Sequence, residues 1–430
     1  MEYWQMQKFR FALLFLLLLT PLTISHAQTT SESQVISVEN IEELMRQDVS
    51  HQMEDAKIYD MDWLSDSAEL FAVYNGYPNN GVWVYDTHNI QEPIRFLSGN
   101  GVFSPDGKYW AVQTVDEAQQ ITNVFDVISG EPISTMTHGA AVLEDKGAIA
   151  FSPDSSLIAS GWYGQTDLWS LNNDKTKETL RADSGLISSL DFNSSGTLLV
   201  AADEGGQIIV WDIESGELIT TRHDHFNLAF AVFIPNQNYV ISRSVDRSVT
   251  LFNALTDERL ISVDSHSDLM YAALSESRFI VSDASVRQNR AYSVLTFWDI
   301  DSRSRIIEFT LPNEDFGSFI PGSITLHSTG DLLAFWNTGE QLTLIDISGG
   351  KELHTLRVNA PIRGAEFSPL NKLLALWTEA DTIQFWNSET GEMLSEITNE
   401  SVIDLMFSPD GTKLITASQS GDIKVWQIAA

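Results

Sequence analysis

The chain has 430 residues, no cysteine, and 59 Asp and Glu against 25 Lys and Arg, a formal charge of −34. The missing cysteine excludes disulfides, thiol chemistry and cysteine-linked lipid attachment, so stability has to come from a buried core, for which the chain is long enough. So acidic a surface repels phosphate backbones and anionic membranes, which argues against a nucleic-acid partner.

At the start, Lys8 and Arg10 precede the apolar run 11–19, and Ser25 and Ala27 offer small residues at cleavage-site spacing. Residues 1–27 read as a secretory signal peptide, the run being too short for a membrane span. The mature chain is expected to begin at Gln28, to be periplasmic or extracellular, and to have no stable membrane insertion after cleavage. Export without cysteine points to a bacterial source. Residues 28–56 read as a linker. Within it, Gln34 to Val38 has the look of an isolated strand. Asn40 with Glu43 three residues on has capping-box spacing for a short helix, with Ile41, Leu44 and Met45 as its apolar side.

From residue 57 to 430 the chain repeats. Anchor residues Trp63, Phe103, Phe151, Phe192, Phe233, Leu274, Leu326, Phe367 and Phe407 mark the copies; six of the eight gaps are 40 or 41 residues, the others 48 and 52. A second series runs in phase: Tyr85, Phe125, Trp169, Trp211, Phe252, Trp298, Ile345, Trp386 and Trp426. Each is followed by a polar residue, as in Trp211-Asp212 and Trp386-Asn387. A period near 40 built of strand-type segments predicts a repeated four-stranded unit and an all-β fold.

Residues 184–225 show one unit plainly. An apolar first strand ends at Phe192, and Asn193-Ser194-Ser195-Gly196 turns the chain. The small apolar run 198–202 reads as a central strand covered on both faces. A hairpin at Glu204-Gly205-Gly206 leads to the third strand, 208–211, and a more polar fourth strand covers 218–222. One such sheet is too small to stand alone, so neighbouring units must cover its faces.

The phrases Phe103-Ser104-Pro105-Asp106-Gly107-Lys108, Phe407-Ser408-Pro409-Asp410-Gly411-Thr412 and Ile208 to Glu217 (IIVWDIESGE) carry a resemblance to the WD40-repeat family over roughly residues 57 to 430. The resemblance implies a β-propeller of four-stranded blades and, as function, a binding platform. Nine units are read, with an eight-bladed ring plus one displaced unit as the alternative. The ninth copy stops after its third strand, and Gln34 to Val38 is expected to supply the fourth and close the ring. The family also braces its blades with a His, a Ser or Thr, an Asp and the Trp. Here Phe252 replaces the Trp after Ser244 and Asp246, and Gly205 and Ser420 stand where the Asp would precede Trp211 and Trp426. Packing rather than polar networks is therefore expected to hold the blades. His138 and His266 look like remnants of the structural His.

Little in the chain points to catalysis. Every Gly-x-Ser-x-Gly window fails and no phosphate-binding glycine loop occurs, so no catalytic residue and no cofactor is expected. His223-Asp224-His225 is the densest set of metal-ligand types, but its spacing matches no known site and no metal is expected. Aromatic residues are more suggestive. Tyr74, Trp162, Tyr163, Trp336 and Trp377 end second strands, and Tyr77 lies in the following hairpin. Trp336 and Trp377 are expected in the core. Trp162 and Tyr163, between Gly161 and Gly164, are expected at a solvent-facing rim suited to recognition. Ser285 to Tyr292 reads as a longer loop whose Arg287 and Arg290 could engage a carboxylate. The expectation is a non-catalytic scaffold for a protein or peptide. Glycan or small-molecule binding in the central channel, and an enzyme with loop-borne residues, are the alternatives.

Overall fold

This computed structural model describes residues 34–428, except 50–57, 65–68, 76–80, 117–118, 141–146, 172–174, 183–184, 224–225, 227, 245–247, 265–273, 276–277, 288–289, 314–323, 337–338, 399–400 and 419. The fold class is the all-β propeller. Among the described residues there are nine antiparallel four-stranded sheets. Eight are consecutive in sequence: 58–98, 101–140, 149–181, 187–222, 228–264, 274–313, 324–357 and 362–398. The ninth takes three strands from 402–428 and its fourth from Leu44–Val49.

The two aromatic series are one structural feature. In each sheet the anchor, a second-strand residue and the third-strand residue face one another across the ladder. Examples are Trp63, Phe71 and Tyr85, then Phe192, Leu199 and Trp211, and Phe407, Leu414 and Trp426. Cross-strand rows of this kind are the unit of sheet stabilisation, so the two series have to keep phase. In most copies the polar residue that follows the third-strand member of the series shapes the next turn. Asp212 Oδ1 accepts from the Glu214 and Ser215 amides at 3.1 and 2.9 Å. Asp126, Asn253, Asp346 and Asn387 do the same in their own turns. The Ser and Asp of Phe-Ser-Pro-Asp act likewise. Ser104 Oγ donates to Asp106 Oδ1 at 2.7 Å and accepts from the Tyr109 amide at 2.9 Å. Ser152 with Asp154 and Ser408 with Asp410 repeat that arrangement.

Contacts divide the chain into two compact units. One comprises Met1–Ser98, Val286–Phe297 and Ile306–Ala430; the other comprises Gly99–Ser285 and Trp298–Arg305. In the second unit, cores lie between successive sheets, as where Phe192, Trp211 and Ile213 of the fourth pack on Ala159, Leu168 and Leu180 of the third. In the first unit, Trp63, Phe71 and Tyr85 pack on Met406, Ile415 and Val425 of the ninth sheet. Burial of each large side chain stabilises by about 1.5–3 kcal/mol, and only neighbouring sheets supply it.

The first strand of each sheet is an edge, and its outward N–H groups need acceptors. Side chains of the neighbouring sheet supply them. The Phe233 amide donates to Asp191 Oδ2 at 2.7 Å and the Ala231 amide to Ser189 Oγ at 3.0 Å. In the other unit, Phe407 N donates to Glu366 Oε1 at 3.0 Å and Met61 N to Asp404 Oδ2 at 3.2 Å. Part of the acidic surplus therefore serves the fold.

Two expectations for the N-terminal region need correction. Gln34 to Val38 is not the closing strand; Leu44–Val49 is, pairing Leu44 with Ile428 and Val49 with Lys424 across a bulge between Arg46 and Asp48. Residues 34–40 form a hook instead. Asn40 Oδ1 accepts from the Ser37 amide at 2.8 Å and its Nδ2 donates to Val35 O at 2.9 Å, which bends the segment out of ladder geometry. Ile36 is fully buried among Phe407, Leu414 and Trp426, its amide donating to Gly411 O and its carbonyl accepting from Asn371 Nδ2, both at 2.8 Å. The helix expected after Asn40 is a single 3-10 turn, Ile41–Glu43, without a side-chain cap, because Asn40 is committed to Ser37 and Val35. Ile41 is buried as expected, but the chain is already extended at Leu44.

Candidate functional site

The second-to-third-strand hairpins and the connections between sheets share one edge of each sheet stack, as the up-down strand order requires. In the unit 99–285, hydrogen bonds link several neighbouring hairpins and connections along this edge. Gly164 N donates to Gly185 O at 3.2 Å, and Gly185 N to Asp203 Oδ2 at 2.7 Å. Gln207 Nε2 lies 3.4 Å from His223 Nε2, and Ser244 Oγ donates to Phe226 O at 2.8 Å. Positive φ at Gly164 and Gly206 allows the tight hairpins.

Trp162 and Tyr163 separate on this rim. Tyr163 is exposed (37 %), as expected, but Trp162 is only 4 % exposed. Trp162 ends Leu157–Trp162, a central strand covered on both faces, so either side-chain direction leads inward. The flanking glycines do not prevent this; Gly161 sits so close to Ile187 that a Cβ would lie 2.6 Å from Cγ2. The two rings meet edge to face at 5.7 Å, which steadies Tyr163. Trp336 and Trp377 are buried, as expected. Tyr74 is half-buried; burial, with the Asp62 and Asp60 carboxylates adding, pushes its phenol well above the ordinary tyrosine range. Tyr77 lies outside the described residues. The loop expected at Ser285 to Tyr292 is mostly ladder: Arg287 ends the strand Arg278–Arg287 and Arg290 begins Arg290–Asp299. The extra length is a longer hairpin arm, so Arg287 and Arg290 stand at a strand tip.

One polar cluster was read only in part from the sequence, through His138 as a remnant of the structural His, and it departs from the expectation that packing alone holds the blades. His138 Nδ1 donates to Asp167 Oδ2 at 2.8 Å, and its Nε2 lies 3.1 Å from Ser160 Oγ and 2.9 Å from Thr122 Oγ1. Thr179 Oγ1 and Gln165 Nε2 also donate to Asp167, and Gln113 Nε2 to Ser160 Oγ. Burial works to raise the Asp167 pKa, but the bonds from His138 and Thr179 outweigh it and hold the carboxyl below its usual range. The Ser–His–Asp connectivity matches that of a nucleophilic triad. All three side chains are buried, however, and no substrate carbonyl reaches Ser160. The cluster is a brace between the second and third sheets. Asp167→Ala leaves His138, Thr179 and Gln165 without an acceptor and is expected to cost about 3 kcal/mol or more, with Asp167→Asn milder. Urea denaturation of the three proteins checks this, and an unchanged midpoint for Asp167→Ala would contradict the bracing role.

Elsewhere the expected loss of bracing is visible. The buried indole N–H groups of Trp63, Trp110, Trp169, Trp211 and Trp377 have no hydrogen-bond partner, whereas Trp426 donates to Thr416 Oγ1 at 3.1 Å. Among the described residues no group of three or more His, Asp or Glu could hold a metal ion. No helix of the described residues is long and apolar enough to cross a membrane.

Residues 174–212 and 391–427 match the family model "WD domain, G-beta repeat". Both matches begin at or just before a fourth strand and run through the next three, one strand out of step with the sheets. The ninth sheet shows the same offset, its last strand coming from Leu44–Val49. The chain is 24 % identical over 251 residues to Periodic tryptophan protein 2 of Arabidopsis thaliana, 55 % of this chain and 26 % of that protein. It is 32 % identical over 134 residues to F-box-like/WD repeat-containing protein TBL1Y of Homo sapiens, 27 % of this chain and 26 % of that one. With human Apoptotic protease-activating factor 1 it shares 22 % over 343 residues, 76 % of this chain and 25 % of the relative. The chain thus spans about a quarter of the length of these relatives. Repeat phase, sheet topology and these matches together support a WD40 β-propeller.

Proposed function

We propose that the chain is an exported, non-catalytic scaffold, bacterial in source, that binds a protein or peptide on the rim formed by the second-to-third-strand hairpins. The observation carrying this reading is the division of labour within each repeat. The recurring residues are spent on turns and inter-sheet cores, while the hairpins differ from copy to copy and one presents the exposed Tyr163 on a fixed backbone. Tyr supplies large contact area with few rotatable bonds, the profile of an interface anchor. The WD-repeat relatives favour an interaction role, and the signal-like residues 8–27 favour export.

Affinity capture from native extract tests the binding half, with the parent and Tyr163→Ser compared by mass spectrometry. A partner held by the parent should fall roughly tenfold or more in yield with Tyr163→Ser, the effect of losing one interface anchor. Equal capture by both proteins moves the site off this rim, and measurable substrate turnover removes the non-catalytic reading. A mature mass beginning at Gln28 in the exported fraction tests the export half; a membrane-bound product retaining Met1 contradicts it.

A further inference from the structure

We infer that His327 is an acid-sensitive latch: as neutral imidazole it ties the seventh and eighth sheets to the N-terminal hook, residues 34–40, and protonation releases the hook. This device is independent of what the hairpin edge binds. His327 stands where the serine of Phe-Ser-Pro-Asp stands in other copies, since Leu326-His327-Ser328-Thr329-Gly330 aligns with Phe103-Ser104-Pro105-Asp106-Gly107. Ser104 serves its own turn. The larger imidazole also reaches the next sheet. Its Nε2 lies 3.0 Å from Asn371 O, and the Thr329 amide donates to its Nδ1 at 3.2 Å. A carbonyl oxygen only accepts and an amide N–H only donates, so the hydrogen sits on Nε2 and Nδ1 is bare. The ring is buried and meets Phe367 edge to face at 5.5 Å.

Asn371 passes the contact on. Its Nδ2 donates to Ile36 O, and the Ile36 amide donates to Gly411 O, both at 2.8 Å. Ser328 Oγ adds a bond to Pro369 O at 2.6 Å. The hook is thus tied to one turn in each of three successive sheets, all within one compact unit. A second proton has to go on Nδ1, facing the Thr329 N–H. Thr329 Oγ1, 2.9 Å away, can turn to accept it, but the amide loses its acceptor and a cation is left in a buried place.

Burial is the main cause that holds the His327 pKa below its ordinary value. The bond to Asn371 O opposes it, Lys372 adds to it, and Asp331 opposes it. Other charged groups on the packed segments are engaged elsewhere. Asp331 accepts from Ser348, Glu366 from the Phe407 amide, and Glu39 from Ser37. Arg363 reaches Val402 O and Asp381, Asp410 accepts from Ser408 and Thr412, and Lys413 donates to Thr87. The strand Leu332–Trp336 carries no ionisable side chain. A His327 ring released into water takes a proton more readily than the buried one. The latch is therefore at full strength above about pH 6.5 and weakens as pH falls below it. Release withdraws Ile36 from Phe407, Leu414 and Trp426 and leaves Leu44–Val49 to its ladder and Ile41.

Hydrogen exchange at the Ile36 amide, at pH 7.5 and 5.0 and corrected for the intrinsic rate, tests this. Protection in the parent is expected to fall several-fold between the two. A released imidazole of pKa 6.5 sets the ceiling at about thirtyfold. His327→Gln keeps a donor for Asn371 O and takes no proton, so its protection should vary by less than about twofold. If that variant unfolds, His327→Asn replaces it, Asn being the residue at this place in the fourth sheet. There Asn193 accepts from the Thr197 amide and donates to Asn238. Asn371→Ala should lose the protection at both pH values. Protection that is flat in the parent, or that falls equally in His327→Gln, overturns the inference. A fall confined to residues 327–331, or full protection in Asn371→Ala, overturns it as well.

Discussion

Deleting Leu44–Val49 is expected to produce a protein that melts far below the parent and aggregates. The strand Ile423–Ile428 pairs with Leu44–Val49 on one side and with Leu414–Ser418 on the other. Without Leu44–Val49 it becomes an open sheet edge, a template for pairing with other chains. Four or five ladder hydrogen bonds at about 1 kcal/mol each place the loss on the order of 5 kcal/mol. Ile36→Ala tests the hook separately. It empties a fully buried site against Phe407 and Trp426 and is expected to cost about 2–4 kcal/mol without aggregation, because the edge stays covered. Thermal melts and light scattering distinguish the two. A synthetic peptide spanning residues 41–50 should restore the melting temperature of the deletion. A deletion that melts with the parent and stays monodisperse would show that the ninth sheet does not depend on this strand.

The error over which segment closes the ninth sheet shows what the sequence made legible. Repeat phase predicted a missing fourth strand and its origin near the N-terminus, because the period counts strands directly. It could not choose between two short segments of similar apolar content. The choice was made by Asn40, whose side chain bonds to both Ser37 and Val35 and curls the upstream segment away from the ladder. A single side chain forming a local turn overrides strand propensity. The nine sheets themselves were readable, since each repeat states its strands and turns in the same order.

The candidate site was legible to a lesser degree. Tyr163 was found because glycines bracket a hairpin, a signal in local sequence. Trp162 was misplaced because its burial depends on the sheets above and below, which lie about 40 residues away in sequence. The His138–Ser160–Asp167 cluster draws on three strands of two sheets, and Asp167 lies only two residues before Trp169, inside the strand rather than in the preceding turn. A search of the turn positions passes over it.

Asp191→Asn is expected to stabilise the protein above neutral pH and to have little effect in acid. Asp191 lies on the edge strand Ile187–Phe192, and burial pushes its carboxyl from 3.8 up to about 7 against the opposing pull of the Phe233 and Phe192 amides. The strands packed on it, Ile149–Phe151, Leu157–Trp162 and Leu228–Phe233, carry no ionisable side chain. Leu198–Asp203 contributes only Asp203, which is taken up by the Gly185 and Gln207 amides. No cation offsets the charge on those strands. The folded state therefore holds a proton that the unfolded chain releases near pH 4, and stability falls as pH rises from there to about 7, then levels off. A shift of about three pH units corresponds to roughly 4 kcal/mol at full weight; solvent reaching the half-buried carboxylate lowers this to about 2 kcal/mol. Asparagine keeps an oxygen for the Phe233 amide and removes the charge, so the gain should be about 2 kcal/mol at pH 8 and near zero at pH 4. Urea midpoints of parent and variant at pH 4, 6 and 8 measure it. A gap that stays constant across the three values, or a variant weaker than the parent at pH 8, would mean that Asp191 is charged and well solvated in the folded protein.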